Sequence, residues 1–401
     1  TLADSCYHSM FEGCTSLTTA PSLPATTLAS RCYGAMFAGC KSLTTAPSLP
    51  VTTLADSCYS SMFSGCTGLT TAPELPATTL TPYCYNAMFY GCTSLTTAPE
   101  LPATTLADYC YRGMFYGCAS LTTAPELPAT TLADYCYANM FYNCTSLTYV
   151  PFLPATTLRR SCYENMFRGC TSLTTAPSLP ATTLEYLCYS NMFRDCKSLT
   201  TVPELPATTL AEMCYEYMFS GCTAFKVSKT KTGSYQYSWR IPTSGTGTTA
   251  SFWSTGMLSG TGGTFSKPTI NTTYYVENPP VPASLEPQSY HPKELYVEFA
   301  SKIYEDYKAI LQATIEYQYH LGIEPAIIEL KSEKTFTNII PSGDYKTQNI
   351  SVSLTKPPSH NYITRAIIRS IEVTLTPIKQ SDKRKASTKI ILNKEFSLNN
   401  Q

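Results

Sequence analysis

The sequence predicts an α/β solenoid of nine 26-residue units with short parallel strands, followed by a β cap and a small α+β module at the C-terminal end. Three observations lead there. One cassette, CYxxMFxGCTSLTTAPxLPATTLA, returns every 26 residues from Thr1 to about Phe225. All 18 cysteines of the chain lie in two columns of that cassette, one starting at Cys6 and the other at Cys14. A unit this short cannot bury its apolar residues by itself, so each copy must lean on its neighbours.

Comparing the copies with one another separates columns held by stacking from columns free to change. Leu2, Cys6, Met10, Phe11, Cys14, Leu17 and Leu23 head the constant apolar columns, which form the predicted inward face. Residues 17–21 alternate apolar and polar, the period of a short strand. Pro21 and Pro24 recur in the first eight units and end that strand, because proline has no N–H to give to a ladder. Between residues 3 and 11 the apolar positions Leu2, Cys6, Met10 and Phe11 are about four apart, which predicts one or two helical or 3₁₀ turns. The Gly13 column changes only to Asn143 and Asp195. These three residue types best tolerate positive φ, so the column predicts a left-handed turn residue.

The segment Met10-Phe11-Glu12-Gly13-Cys14, followed by Leu17 through Pro24, resembles the BspA-like, or treponemal-type, leucine-rich repeat of bacterial and bacteriophage surface proteins. The resemblance covers residues 1–225 and recurs nine times. This unit is longer than the family's usual one, carries Cys6 where an aliphatic residue is usual, and adds the run Pro24-Ala25-Thr26-Thr27. The resemblance implies a leucine-rich repeat solenoid that works in adhesion or receptor recognition at a virion surface or a bacterial cell surface, outside the cell.

Three states of the cysteines remain open at this point. A buried ladder of thiols acting as small apolar groups suits the habit of the family. Intra-repeat disulfides such as Cys6 with Cys14 suit an exported protein. Metal binding has the least support, since no CxxC spacing occurs and the repeats contribute one histidine, His8.

Function is expected on the columns that vary. The Ser5 column reads Tyr83, Tyr109 and Tyr135 in units four to six and later Leu187 and Met213; the Glu12 column reads Tyr90, Tyr116 and Tyr142, then Arg168 and Arg194. Stacked about 5 Å apart, nine units would span roughly 45 Å. These residues, with Arg112, form the candidate ligand-binding set, because tyrosine and arginine combine large contact area with polar ends and are enriched at binding hot spots. The partner expected for them is a host-surface protein or glycan. The competing reading is that the tyrosines only shield the turns from water. The constant Tyr7 column is expected to pack between turns with each hydroxyl on a neighbour's backbone.

Residues 226–275 are rich in Gly, Ser and Thr, with β-favouring islands at 234–241, 251–258 and 269–275, and are read as the cap. The stretches 240–249 and 269–275 resemble segments that follow such repeats in prophage-encoded proteins of gut bacteria. Residues 276–292 hold five prolines and read as a linker. Residues 293–321 carry apolar residues at Leu295, Phe299, Ile303, Tyr307, Ile310, Leu311, Ile315 and Tyr319, predicting a helix ended by Gly322. Strand-like runs follow at 326–330, 350–354, 362–375 and 389–392, so 293–401 is read as an α+β module, a possible anchor to a virion or cell surface. The chain begins inside a repeat and is read as part of something longer.

Composition narrows the function. Residues 1–225 hold 8 Lys/Arg against 14 Asp/Glu, a net charge of −6, and a mildly acidic solenoid makes a poor nucleic-acid partner. The remainder is basic by the same amount and includes Lys383-Arg384-Lys385, read as a solvated turn. No run of 18 apolar residues occurs that would span a membrane. His8, His291, His320 and His360 are far apart in sequence, and no phosphate loop or nucleophile elbow appears, so neither enzyme activity nor a cofactor is expected. Two readings from different classes remain: a binding protein that acts through the variable columns, and a structural spacer or assembly protein whose C-terminal module makes the main contacts.

Overall fold

The computed structural model describes residues 2–263, 266–278 and 280–281, together with six strands between residues 294 and 397. The chain divides into two compact units, Thr1–Ala283 and Ser284–Gln401. The first is a repeat solenoid. Its coils are joined by a ribbon of turns rather than by helices, and no helix occurs among the described residues.

The expected helical turns over residues 3–11 are replaced by five overlapping β-turns. Amides of Cys6, His8, Met10, Glu12 and Cys14 each donate to the carbonyl three residues back, at 3.1–3.3 Å. The alternate amides of Ser5, Tyr7, Ser9, Phe11 and Gly13 donate instead to the next coil, at Ser30, Cys32, Gly34, Met36 and Ala38. Every fourth residue, Ser5, Ser9 and Gly13, has positive φ (56°, 55° and 72°), which breaks any helix and lets the ribbon repeat. Each of these amides is thus satisfied either within its turn or one coil along.

The predicted strand is also shorter than expected. Parallel pairing reduces to single bridges in two threonine columns, Thr19 with Thr45 and onward to Thr97, and Thr53 with Thr79 and onward to Thr131. The flanking prolines leave no room for a longer ladder. Among the described residues of the nine copies, the only paired strand is β1 (Thr209–Leu210), parallel to β4 (Thr248–Thr249).

Burial follows the apolar columns. In the fifth copy Cys110, Met114, Phe115, Cys118 and Leu121 are fully buried and Tyr111 nearly so. Each such side chain contributes about 1.5–3 kcal/mol relative to exposure, and like lies on like: Phe115 stacks on Phe89 and Phe141 at 5.7 and 5.5 Å. In the first coil Met10 is 56% exposed, whereas Met36 one coil along is 2%.

Residues 251–258, expected as a strand island, form a further coil. Tyr215, Tyr217, Phe219 and Gly221 donate to Trp253, Thr255, Met257 and Ser259, as Tyr189 donates to Cys214 one coil earlier. Phe252, Gly256 and Gly260 have positive φ in the places of Met213, Tyr217 and Gly221. The position of Trp253, which the 26-residue step would place at 240, is reached late because residues 227–240 turn aside into a small sheet. That sheet orders β2 (Val227–Ser228), β5 (Thr273–Val276) and β3 (Tyr237–Arg240), all antiparallel. Trp239 of β3 covers the end of the phenylalanine ladder, edge-on to Phe219 and Phe225 at 6.3 and 6.0 Å, and its indole N–H donates to the Pro203 carbonyl. The expected linker opens inside this unit: Val276 ends β5, and Val281 pairs with Pro203.

In the second unit the expected helix over 293–321 is contradicted. Glu294–Ser301 is strand β6 and Tyr307–Gln318 is strand β7; Ile303, Tyr319 and Gly322 lie outside the described residues. The sequence of β7 explains the difference, since Tyr307, Ala309, Leu311, Ala313, Ile315 and Tyr317 alternate at period two, a stronger pattern than the four-residue spacing read across them. Strands β8 (Ser332–Asn338), β9 (Lys346–Ser353), β10 (Arg365–Pro377) and β11 (Ala386–Ser397) complete an antiparallel sheet ordered β11-β10-β7-β8 and a pair β6-β9. Regular structure in this unit is all strand among the described residues, not α+β, and the expected run at 326–330 lies outside them.

Candidate functional site

The turn ribbon decides what reaches the surface. Of each coil it turns the two cysteines, tyrosine, methionine and phenylalanine inward, and it leaves the columns headed by Asp4, Ser5, His8 and Glu12 outside or half outside, except at small residues such as Ser161, Ala138 and Ser190, which are buried. The candidate residues stand in these outer columns. Tyr83 and Tyr90 are 39% and 43% exposed, and Tyr109, Tyr116, Tyr135 and Tyr142 are half-buried.

They form two ladders. Tyr83, Tyr109 and Tyr135 stack at 4.5 and 4.7 Å, and Tyr90, Tyr116 and Tyr142 at 4.5 Å for both steps, with rings within 13° of parallel. Contact is tighter than between the buried phenylalanines, so the outer rings cover one another's faces and offer edges and hydroxyls to solvent. Burial in the stack, then the neighbouring hydroxyls, push the Tyr109 and Tyr116 phenols above their ordinary range.

Arginines continue the ladders. Arg168 lies over the Tyr142 ring at 5.2 Å and Arg112 over Tyr109 at 5.9 Å. Arg194 does not join the candidate tyrosines; it lies over Tyr217 at 5.2 Å. Arg168 and Arg194 share Asp195 at 3.8 and 3.7 Å, and each bonds the asparagine three residues before it, Asn165 and Asn191. Their charge is therefore partly spent within the ribbon. Sequence reading passed over Arg160, which lies over Tyr186 at 5.1 Å. It also passed over Glu164, whose carboxyl is pushed up chiefly by burial and held down by Arg112 and Arg160.

Backbone geometry sets the first ladder apart. In the Gly13 column the left-handed residue is Gly, Asn143 or Asp195, as sterics favour. In the Ser5 column the same conformation is imposed on Tyr83, Tyr109, Tyr135, Leu187, Met213 and Phe252, at φ of 52–58°. Side chains of this bulk cost about 1 kcal/mol or more there. The tyrosines of the Glu12 column carry no such strain. Phe252, 60% exposed, extends the Ser5 column beyond the repeats. Its signal in the sequence was Met257-Leu258-Ser259-Gly260, an echo of Met218-Phe219-Ser220-Gly221 at a longer step.

All 18 cysteines are free thiols, 16 of them buried. Thiols of the second column donate to the phenylalanine carbonyl of the preceding coil, Cys66 to Phe37 and Cys118 to Phe89 at 3.0 and 3.1 Å. The disulfide reading is thereby corrected: the sulfur is a donor across the coil interface. Among the described residues no cluster of three His, Cys, Asp or Glu could hold a metal, and no helix is long and apolar enough to cross a membrane. In the constant tyrosine column, the hydroxyls of Tyr163 and Tyr215 have no hydrogen-bond partner among the described residues, against the expectation of a backbone acceptor.

Compared with known proteins, the chain matches the family described as BspA type Leucine rich repeat region (6 copies) over residues 4–140 and again over 84–226. No curated protein and no solved structure matches it.

Proposed function

The chain belongs to the BspA-type leucine-rich repeat family, and on that footing we propose that it is a non-enzymatic surface protein that holds a partner through the outer columns of coils four to eight. The partner is a host-surface protein or glycan, and the setting is a phage virion or a bacterial cell surface. Residues 293–401 serve as the attachment to that virion or cell.

One observation carries the reading. Six tyrosines occur where the same columns elsewhere hold Ser, Ala, Glu, Arg, Leu or Met, and they stand in two outer stacks at 4.5–4.7 Å. Large aromatic surfaces with polar ends on a rigid scaffold are what binding faces use. Fluorescently labelled full-length chain, applied to a glycan array and to epithelial cells, should be retained. Tyr116→Ser combined with Tyr142→Ser should reduce retention at least ~10-fold with an unchanged circular dichroism spectrum. The spacer reading expects retention to be indifferent to that double change.

A further inference from the structure

The Ser5 column does not end with its tyrosines. After Ser161 it continues as Leu187, Met213 and Phe252 in three successive coils, each left-handed at φ 57°, 52° and 57°. None of the three is needed by the backbone, which prefers Gly, Asn or Asp in this conformation and receives them at the Gly13 column. None is withdrawn into the core: Leu187 and Met213 are half-exposed, and Phe252 is 60% exposed. A strained backbone that carries a solvent-facing apolar side chain in three consecutive coils points to a use outside the fold.

The flanks and the spacing narrow the partner. Glu185 and Glu212 are exposed and Glu216 half-exposed beside these residues, and none of the three forms an ion pair among the described residues. Successive coils are 5.5–5.8 Å apart by their stacked phenylalanines and 4.5–4.7 Å apart by the tyrosine rings of this same column. The pitch of an α-helix, about 5.4 Å, falls between these spacings, so a helix lying along the solenoid would set one anchor near each coil. An extended strand repeats its side chains every ~6.6 Å, longer than any of these steps. A sugar chain that stacks on ring faces is poorly served along the tyrosine part, where those faces are covered.

We propose that the stripe Leu187–Met213–Phe252 is the dock for an amphipathic helix of a partner protein, with an apolar face toward the stripe and Lys or Arg along its edges. This rests on the reading of the outer columns as a contact face and adds the class of partner. The probe is a labelled synthetic peptide of about six helical turns, with Leu at helical spacing and Lys beside it, against a peptide of the same composition in strict alternation. Titrated by fluorescence anisotropy with the full chain, the helical peptide should bind, more weakly as salt rises, and the alternating one should not. The triple variant Leu187→Asn, Met213→Asn, Phe252→Asn should lose at least ~10-fold in affinity while its Tm stays level or rises, because Asn relieves the left-handed strain. No binding by the helical peptide, undiminished binding by the triple variant, or a lowered Tm, the sign of side chains that merely shield the coils, would each overturn the proposal. Retention on cells separates the two readings. If the Tyr116/Tyr142 variant is lost from cells while the triple variant binds them like the parent, the helix dock falls and the contact face stands. If neither variant is impaired, both fall.

Discussion

A thiol that donates a proton to a backbone carbonyl must keep that proton. Burial pushes Cys66, Cys84, Cys136 and Cys144 up to about 12 from the ordinary value near 9.0. Because the folded chain holds these protons more tightly than the unfolded one, their contribution is complete below pH 9 and is lost as pH rises from about 9 toward 12. Each such thiol then removes about 1.4 kcal/mol per pH unit, and with so many acting together the solenoid should unfold well short of pH 12, as ellipticity followed against pH would register. At neutral pH a thiol-alkylating reagent should modify Cys6 and Cys14, which are exposed, and spare the other sixteen until denaturant is added. The burial of these columns was legible in their constancy, and so was the left-handed residue at Gly13, because its two exceptions are Asn143 and Asp195. The left-handed Ser5 column was not legible, since Tyr83, Leu187 and Met213 are residues that sterics argue against there.

The turn ribbon escaped sequence reading because a helix and a run of overlapping β-turns share a four-residue beat of apolar residues. What separates them is a positive φ at every fourth position, which the Gly13 column displays throughout in its residue types and the Ser9 column only in Gly113, Asn139, Asn165 and Asn191. Strand β7 was misread for a related reason, its alternation being overlaid by Ile310, which falls on the helical spacing. The added coil at 251–260 was hidden by the insertion that builds the β2-β5-β3 sheet. Trp239 ties that sheet to the array, so Trp239→Ala should cost about 3–5 kcal/mol in denaturant unfolding and speed hydrogen exchange at Tyr215 and Phe219 before the middle coils.

Because each coil touches only its neighbours, stability along the solenoid is a chain of like interfaces. Phe115→Ala removes one rung from the middle of the phenylalanine ladder and should split a single unfolding transition into two, whereas Phe37→Ala near the first coil should lower the midpoint and leave one transition. The ribbon also has a sense of direction. In the columns of Ser5, Tyr7, Ser9, Phe11 and Gly13 the inter-coil amides point toward the later coil, from Ser5 to Ser30 through Gly221 to Ser259, so the carbonyls of Asp4, Cys6, His8, Met10 and Glu12 face the opposite way. Such a column has unlike poles, as a row of aligned bar magnets does. Whatever packs on that side of the ribbon, a further coil of the same kind included, must present hydrogen to these oxygens.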